Sequence, residues 1–166
     1  MAHLSRIKGE YAALVERLAR GPVGLPEPRS PRARAGWREI LEILYSPEEA
    51  ALAARFPLKP TPLAELARRL RKTEAELRPR LEAMCDKGIV MDIVSRSTGE
   101  VKYFLAPPVV GFFEFSMMRA GGPIPRDRMA AALDAYTRGD ATFAREAFGG
   151  KTALGRALVH ESALNE

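Results

Sequence analysis

The sequence is poor in the residues that hold metals and do covalent chemistry. It has one cysteine, Cys85, and two histidines, His3 and His160, in 166 residues. A single thiol excludes an intrachain disulfide, and with two distant histidines it supplies no ligand set for zinc or a cysteine-bound cluster. A Cys/His nucleophile pair is equally unsupported, and no acid, base or nucleophile pair is placed by motif. The expectation is therefore a protein that is not an enzyme, with no catalytic, metal or cofactor-binding residue and no small-molecule substrate. Cys85 follows Leu81 by four positions beside Met84 and reads as a small hydrophobe in a core. No apolar run approaches the roughly 18 to 20 residues that span a bilayer, and the N-terminus has no signal-peptide core. A soluble, cytoplasmic protein without membrane contact is expected. The length suits one sizeable core, or one core with an appended helical piece, and there is no internal repeat or low-complexity tract.

What the chain does have is concentrated in residues 61–105. Thr61 and Pro62 read as an N-cap and a first-turn proline, after which Leu63, Leu66, Ala67 and Leu70 repeat at helical spacing. Arg71 and Lys72 form a turn. Thr73 and Glu76 then make a capping box, each able to satisfy an orphan N–H of a second helix whose apolar stripe is Leu77, Leu81 and Met84. Gly88 stops that helix, residues 89–94 turn β-rich, residues 95–99 are a polar turn and residues 101–105 return. Helix, turn, helix, two-stranded ribbon is the order of a winged helix-turn-helix, most familiar from DNA-binding proteins.

The flanks set the boundaries. Residues 4–18 carry Leu4, Ile7, Tyr11, Leu14, Val15 and Leu18 on one face of a short amphipathic helix that needs a partner surface. Residues 21–31 hold four prolines and two glycines, a linker or an extended arm laid on the domain. Trp37, Ile40, Leu41, Leu44 and Tyr45 begin the core, and Ser46 to Glu49 is another capping box. Residues 126–137 and 141–148 read as two further helices. The expected fold is mainly α with a small β-hairpin: an arm and linker over 1–33, a winged helix-turn-helix over 34–108, and a helical extension over 109–166.

The net charge of +5 points toward nucleic acid only if it sits in the right place. The excess is +3 over residues 1–45 and +2 over residues 61–105. The expected recognition helix sets Arg78, Arg80 and Lys87 against Glu74, Glu76, Glu82 and Asp86, so it is net negative. Phosphate contacts dominate DNA affinity, and glutamates at a recognition helix N-terminus allow contact to cytosine N4 without an electrostatic footprint. Any affinity for random duplex is expected to be weak, and the alternative reading of the fold is a winged-helix DNA-binding transcriptional regulator acting as a dimer. The candidate nucleic-acid or partner contacts are Arg68, Arg69, Arg71, Lys72, Arg78 and Arg80 near the helix-turn-helix, with Arg96 and Lys102 on the wing; solvated hairpin positions are the plainer reading of the last two.

Three stretches together carry a family resemblance: residues 44–50 (Leu-Tyr-Ser-Pro-Glu-Glu-Ala), 84–90 (Met-Cys-Asp-Lys-Gly-Ile-Val) and 106–115 (Ala-Pro-Pro-Val-Val-Gly-Phe-Phe-Glu-Phe). Over about residues 35–160 the chain resembles the N-terminal half of bacterial and archaeal ferredoxin-type iron-sulfur proteins. In that family a winged-helix domain precedes two Cys-rich motifs that bind four-iron four-sulfur clusters. Lys151 to Leu154 resembles the connector before those cysteines, but no C-x-x-C-x-x-C follows, so no cluster ligand is carried over. The resemblance implies a scaffold and recognition module. It is expected to be either the N-terminal piece of a longer ferredoxin-like protein or a branch without the redox half.

Other features have plain readings. Lys151 and Thr152 end a phosphate-loop pattern, but Arg145 stands where its first glycine belongs and no strand precedes it, so a helix stop is preferred. Glu114 sits in an apolar run and is a candidate buried acid, although such a residue more often reaches a donor or the surface. Phe112, Phe113, Phe115, Met117 and Met118 cover too many directions for one helix face, which favours a packed core or a dimer seam. A homodimer or a redox or other protein partner is expected.

Overall fold

Three hydroxyl side chains start helices. Ser30 accepts from the Ala33 N–H at 3.1 Å, with Pro31 in the first turn, where its missing N–H leaves no bond unmade. Ser46 and Thr73 each close a full capping box with Glu49 and Glu76. The computed structural model describes residues 9–21, 24–108, 111, 113–118 and 122–149. In chain order it gives α1 (Gly9–Leu18), α2 (Pro31–Leu44), α3 (Pro47–Ala53), β1 (Thr61–Pro62), α4 (Leu63–Leu70), α5 (Glu74–Asp86), β2 (Val90–Val94), β3 (Val101–Leu105), α6 (Phe113–Met118), α7 (Arg126–Gly139) and α8 (Thr142–Phe148). The protein is mostly helical with a small antiparallel sheet, a winged helix-turn-helix. No helix among the described residues is long and apolar enough to cross a membrane.

The sheet differs from the expected ribbon by one strand. Its order is β1-β3-β2, with Thr61 opposite Tyr103 and Val90 opposite Leu105. Thr61 is therefore a strand residue and not the N-cap of α4. It is buried, and its hydroxyl donates to the Lys59 carbonyl at 2.8 Å, so it is unavailable to the helix. Pro62 occupies the cap position with no side-chain cap, and α4 begins at Leu63.

The flanking segments share one cluster of buried residues with the winged core. α1 buries Tyr11, Leu14 and Leu18 and packs on α3, so the partner surface this amphipathic helix requires is supplied by its own chain. The Tyr11 hydroxyl donates to the Tyr45 carbonyl at 2.8 Å. The proline-rich stretch after α1 is an extended arm laid on the domain: Trp37 Nε1 donates to the Leu25 carbonyl at 3.1 Å and the Tyr136 hydroxyl to the Pro26 carbonyl at 3.0 Å. α2 begins at Pro31, six residues before Trp37, because Ser30 and Pro31 already open it.

α2 and α7 cross at backbone contact, running antiparallel with Arg32 paired to Asp134 and Arg128 to Glu39. A Cβ added at Gly36 would meet the Ala132 carbonyl and lie 2.7 Å from the Tyr136 nitrogen; one at Gly139 would lie 2.7 Å from the Ala33 Cβ. Past α7, Asp140 joins two chain turns. Its Oδ2 accepts from the Arg29 and Ser30 N–H groups at 2.7 and 2.8 Å, and its Oδ1 from the Thr142 N–H at 2.8 Å. Phe143 of α8 stacks tilted against Tyr136 and Phe113, with ring centroids 5.3 and 6.0 Å apart, which brings α6, α7 and α8 together.

Two predictions follow from these contacts. Replacing glycine by alanine in a helix ordinarily stabilises by about 0.5–1 kcal/mol, but Gly36→Ala drives a methyl into the backbone of α7 and should instead cost roughly 1–3 kcal/mol in urea denaturation. A stabilised variant would mean that the two helices do not meet at Gly36. The second concerns Asp140, whose carboxyl is held well below the ordinary aspartate range by its backbone donors. A carboxylate with a depressed folded pKa stabilises above its unfolded value and loses that contribution as pH falls toward the folded one. The stability gap between the parent and Asp140→Asn should be constant above about pH 5 and narrow below about pH 4. A gap that does not change on acidification would show that the carboxylate form is not the one being bound.

Candidate functional site

The face used by DNA-binding winged helices is built here by α4, its turn, α5 and the β2–β3 wing. The turn depends on Arg71, which takes a left-handed φ of 55° without being glycine, while the Lys72 N–H returns to the Ala67 carbonyl at 2.9 Å. Thr73 then starts α5: its N–H donates to Glu76 Oε2 at 2.9 Å, and its hydroxyl accepts from the Glu76 N–H at 3.2 Å. Leu77, Leu81 and Met84 face the core, and Gly88 at φ 75° turns the chain into β2.

The outward face of α5 is acidic at its leading end. Glu74, Glu76, Glu82 and Asp86 are exposed with Arg78 and Arg80, and Pro79 between the arginines removes one N–H from the middle of the helix. Backbone and hydroxyl hydrogen bonds from Thr73 hold the Glu76 carboxyl below its usual range. A recognition helix offers its positive N-terminal end to DNA, and here that end is already occupied by its own carboxylate. Arg80 lies within electrostatic reach of Glu48 and Glu76. It also lines a cleft of about 300 Å³ between α3 and α5, with Ser46, Glu48, Glu49, Pro79 and Met84.

Arg68, Arg69, Arg71 and Lys72 gather at the end of α4 and in the turn that leads into α5, where Lys72 is within electrostatic reach of Glu76, and Arg69 has a structural task. Its Nε donates to the Arg55 carbonyl at 3.0 Å, while Arg55 donates to the Arg69 carbonyl at 2.9 Å, so each guanidinium closes the chain end beside the other. Nearby, the buried Arg17 donates to the Phe56 and Pro57 carbonyls, and burial lowers its pKa. Arg55 thus meets a carbonyl in the last turn of α4, where the helix leaves it unpaired, while Arg69 and Arg17 meet carbonyls of the segment after α3. On the wing, Arg96 is exposed in the turn and Lys102 lies 3.5 Å from Glu100. Tyr103 beside it is buried, which raises its hydroxyl pKa.

Glu114 is not a buried acid. It is exposed near the start of α6, and its carboxylate accepts from the Gly111 N–H at 2.8 Å, the work of a reciprocal helix cap. α6 covers Phe113–Met118, with Met118 exposed. Residues 109, 110 and 112 lie outside the described residues, as do Lys151 and Thr152. Cys85 is half-buried and packs against the core cluster.

Two features of this face went unread in the sequence. One is the ion pair of Lys87 with Glu49 at 2.6 Å, with side chains only 22% and 18% exposed. Glu49 Oε2 also accepts from the Ser46 N–H at 2.8 Å, so one carboxylate closes the cap of α3 and anchors the end of α5. The signal was present as the Ser46 capping box, but its partner lies 38 residues on. The other is the exposure of Ile93 and Val94 on the wing, an edge property that no local pattern announces.

A family model described as "Siroheme decarboxylase NirDL-like HTH domain" matches residues 50–90, about a quarter of the chain. The match runs from within α3 to the first residue of β2 and so covers the helix-turn-helix itself. No curated protein and no solved structure matches the chain.

Because Glu49 serves a cap and an ion pair together, Glu49→Ala should cost roughly 1–3 kcal/mol in chemical denaturation. Lys87→Met, which leaves the capping box intact, should cost less. Equal losses would place the whole effect in the ion pair.

Proposed function

We propose that the chain is a non-catalytic winged-helix module that contacts protein partners, and that it serves as the N-terminal domain of a cytoplasmic ferredoxin-type iron-sulfur protein. One observation carries the protein-contact reading: α5 opens on its own glutamates, Glu74 and Glu76, and the Glu76 carboxylate closes the Thr73 capping box, so a phosphate approaching this end meets negative charge. Two of the arginines nearby, Arg55 and Arg69, are engaged with each other's carbonyls at the end of α4 and beyond α3. The redox setting rests on the resemblance over residues 44–50, 84–90 and 106–115. The family matched at residues 50–90 bears on the helix-turn-helix alone, since its description names such a domain of siroheme decarboxylase and no iron-sulfur protein. The residues present do not fit a cluster of their own: there is one thiol, and no group of three or more His, Cys, Asp or Glu among the described residues is placed to hold a metal. Any cluster would sit on cysteines outside this sequence, and the module would orient that part toward its partner.

Two measurements test the two halves. In an anisotropy titration at physiological ionic strength, mixed-sequence duplex DNA should show no binding. Sub-micromolar affinity that disappears in Arg78→Ala/Arg80→Ala would replace the module with a DNA-binding regulator. For the redox setting, this chain should stay colourless after anaerobic iron-sulfur reconstitution, while the native gene product, purified anaerobically, should show cluster absorbance. A colourless native product would remove the ferredoxin assignment and leave the protein-contact reading standing.

A further inference from the structure

The sheet has two edges of opposite character. β1 is two residues long, ends in Pro62 and is preceded by Pro60, so it offers almost no N–H for another strand. β2 is five residues long and pairs one-to-one with β3, without proline or bulge, and carries Ile93 and Val94 at 47% and 56% exposure. The Ala106 N–H bonds the Ile89 carbonyl at 3.1 Å and the Ser95 N–H bonds the Glu100 carbonyl at 2.9 Å. With that register, the odd-numbered residues of β2 turn their backbone groups toward β3. The N–H and C=O of Asp92 and Val94 therefore point outward, and no hydrogen bond reaches them from another described residue.

We propose that this edge is a homodimer interface, in which β2 pairs antiparallel with β2 of a second copy about a two-fold axis at Ile93, fusing two three-stranded sheets into one. The side chains select the second copy and its register. An axis at Asp92 would set two carboxylates directly opposite each other, which is unfavourable. An axis at Ile93 sets the two isoleucines opposite each other and gives each Asp92 a Val94 as its hydrogen-bonded neighbour. Met91 and Phe104, both half-buried on the same face as Ile93, extend the apolar contact. On the other face Asp92 falls diagonal to Arg96 of the second copy, within reach of a long side chain. One short strand thus supplies an apolar centre and both members of a symmetric pair of ionic contacts, which is the requirement of an isologous interface. This inference stands independently of the redox assignment.

Sedimentation and cross-linking test it. The parent chain should sediment as a concentration-dependent dimer, and Ile93→Lys should sediment as a monomer that keeps the parent's circular dichroism and melts cooperatively at a temperature independent of its concentration, since the side chain is exposed. Thr98→Lys, in the turn, should remain dimeric. Register is tested by cysteine: residues facing each other in a non-hydrogen-bonded pair have Cα atoms about 4.5 Å apart, within disulfide reach. Ile93→Cys should form a covalent dimer on mild oxidation, while Met91→Cys, opposite Ser95 of the second copy, should behave like the parent with its native Cys85. A monomeric parent at high micromolar concentration overturns the proposal and leaves the edge to a strand from another protein. A dimer that survives Ile93→Lys, or cross-links no better through Ile93→Cys than through Met91→Cys, overturns it as well.

Discussion

α2 and α7 meet backbone to backbone, at Gly36 against Ala132 and Tyr136 and again between Ala33 and Gly139. Side chains set the separation of most helix pairs; here their absence does. At this distance α2 has no room on that side for anything but α7, while Trp37, Ile40, Leu41 and Leu44 on the same helix enter the core cluster shared with the winged domain. The segment after the wing is thus fastened to the first helix of the core. The arm over residues 24–30 is held in turn by Trp37, Tyr136 and Asp140, groups that keep their places only while α2 and α7 stay together.

Charge in this chain follows the helix ends. Carboxylates stand at helix starts, where Glu49 and Glu76 close capping boxes and Asp140 gathers three N–H groups. Guanidinium groups stand at helix stops, where Arg55 and Arg69 exchange hydrogen bonds and Arg17 closes the chain beyond α3. Both placements are what oriented peptide dipoles favour. Their joint effect is that a sequence with a basic excess produces no basic surface on its would-be recognition helix. Net charge describes the solubility and association of a chain, whereas the footprint of a nucleic-acid binder requires the cations to be free and on one face.

The local signals were legible because they are local. The Ser46 and Thr73 boxes, the Leu77, Leu81, Met84 stripe and the left-handed Gly88 each lie within a few residues of what they specify, and the winged helix-turn-helix follows from their order. Thr61 and Pro62 were misread because Thr-Pro before an apolar helical repeat satisfies the N-cap pattern, while the pairing that claims Thr61 lies with Tyr103, far along the chain. Glu114 was misread for the opposite reason: an acid among phenylalanines looks buried, yet it stands near the start of α6, where a carboxylate reaches a backbone donor without leaving solvent. The α2–α7 seam could not be read at all. Gly36 and Gly139 look like helix weakeners until the opposing backbone is known.

A helix-turn-helix whose second helix opens on its own carboxylates is still a rigid way to present a strand pair. α5 is fixed at both ends, by the Thr73 box and by Lys87 on Glu49, and Gly88 passes that fixed direction into β2 with no flexible joint. Phe115 of α6 and the Ser116 backbone nitrogen lie against Gly88, close enough that an added Cβ would stand 2.7 and 3.1 Å away. The wing is therefore set by the packing of three helices rather than by its own short hairpin. A hairpin this small is marginal alone, and its rigidity here is borrowed. Contacts to a protein would depend on the shape of the wing and its neighbours, which the Thr73 box and the Lys87–Glu49 pair at the two ends of α5 hold in place.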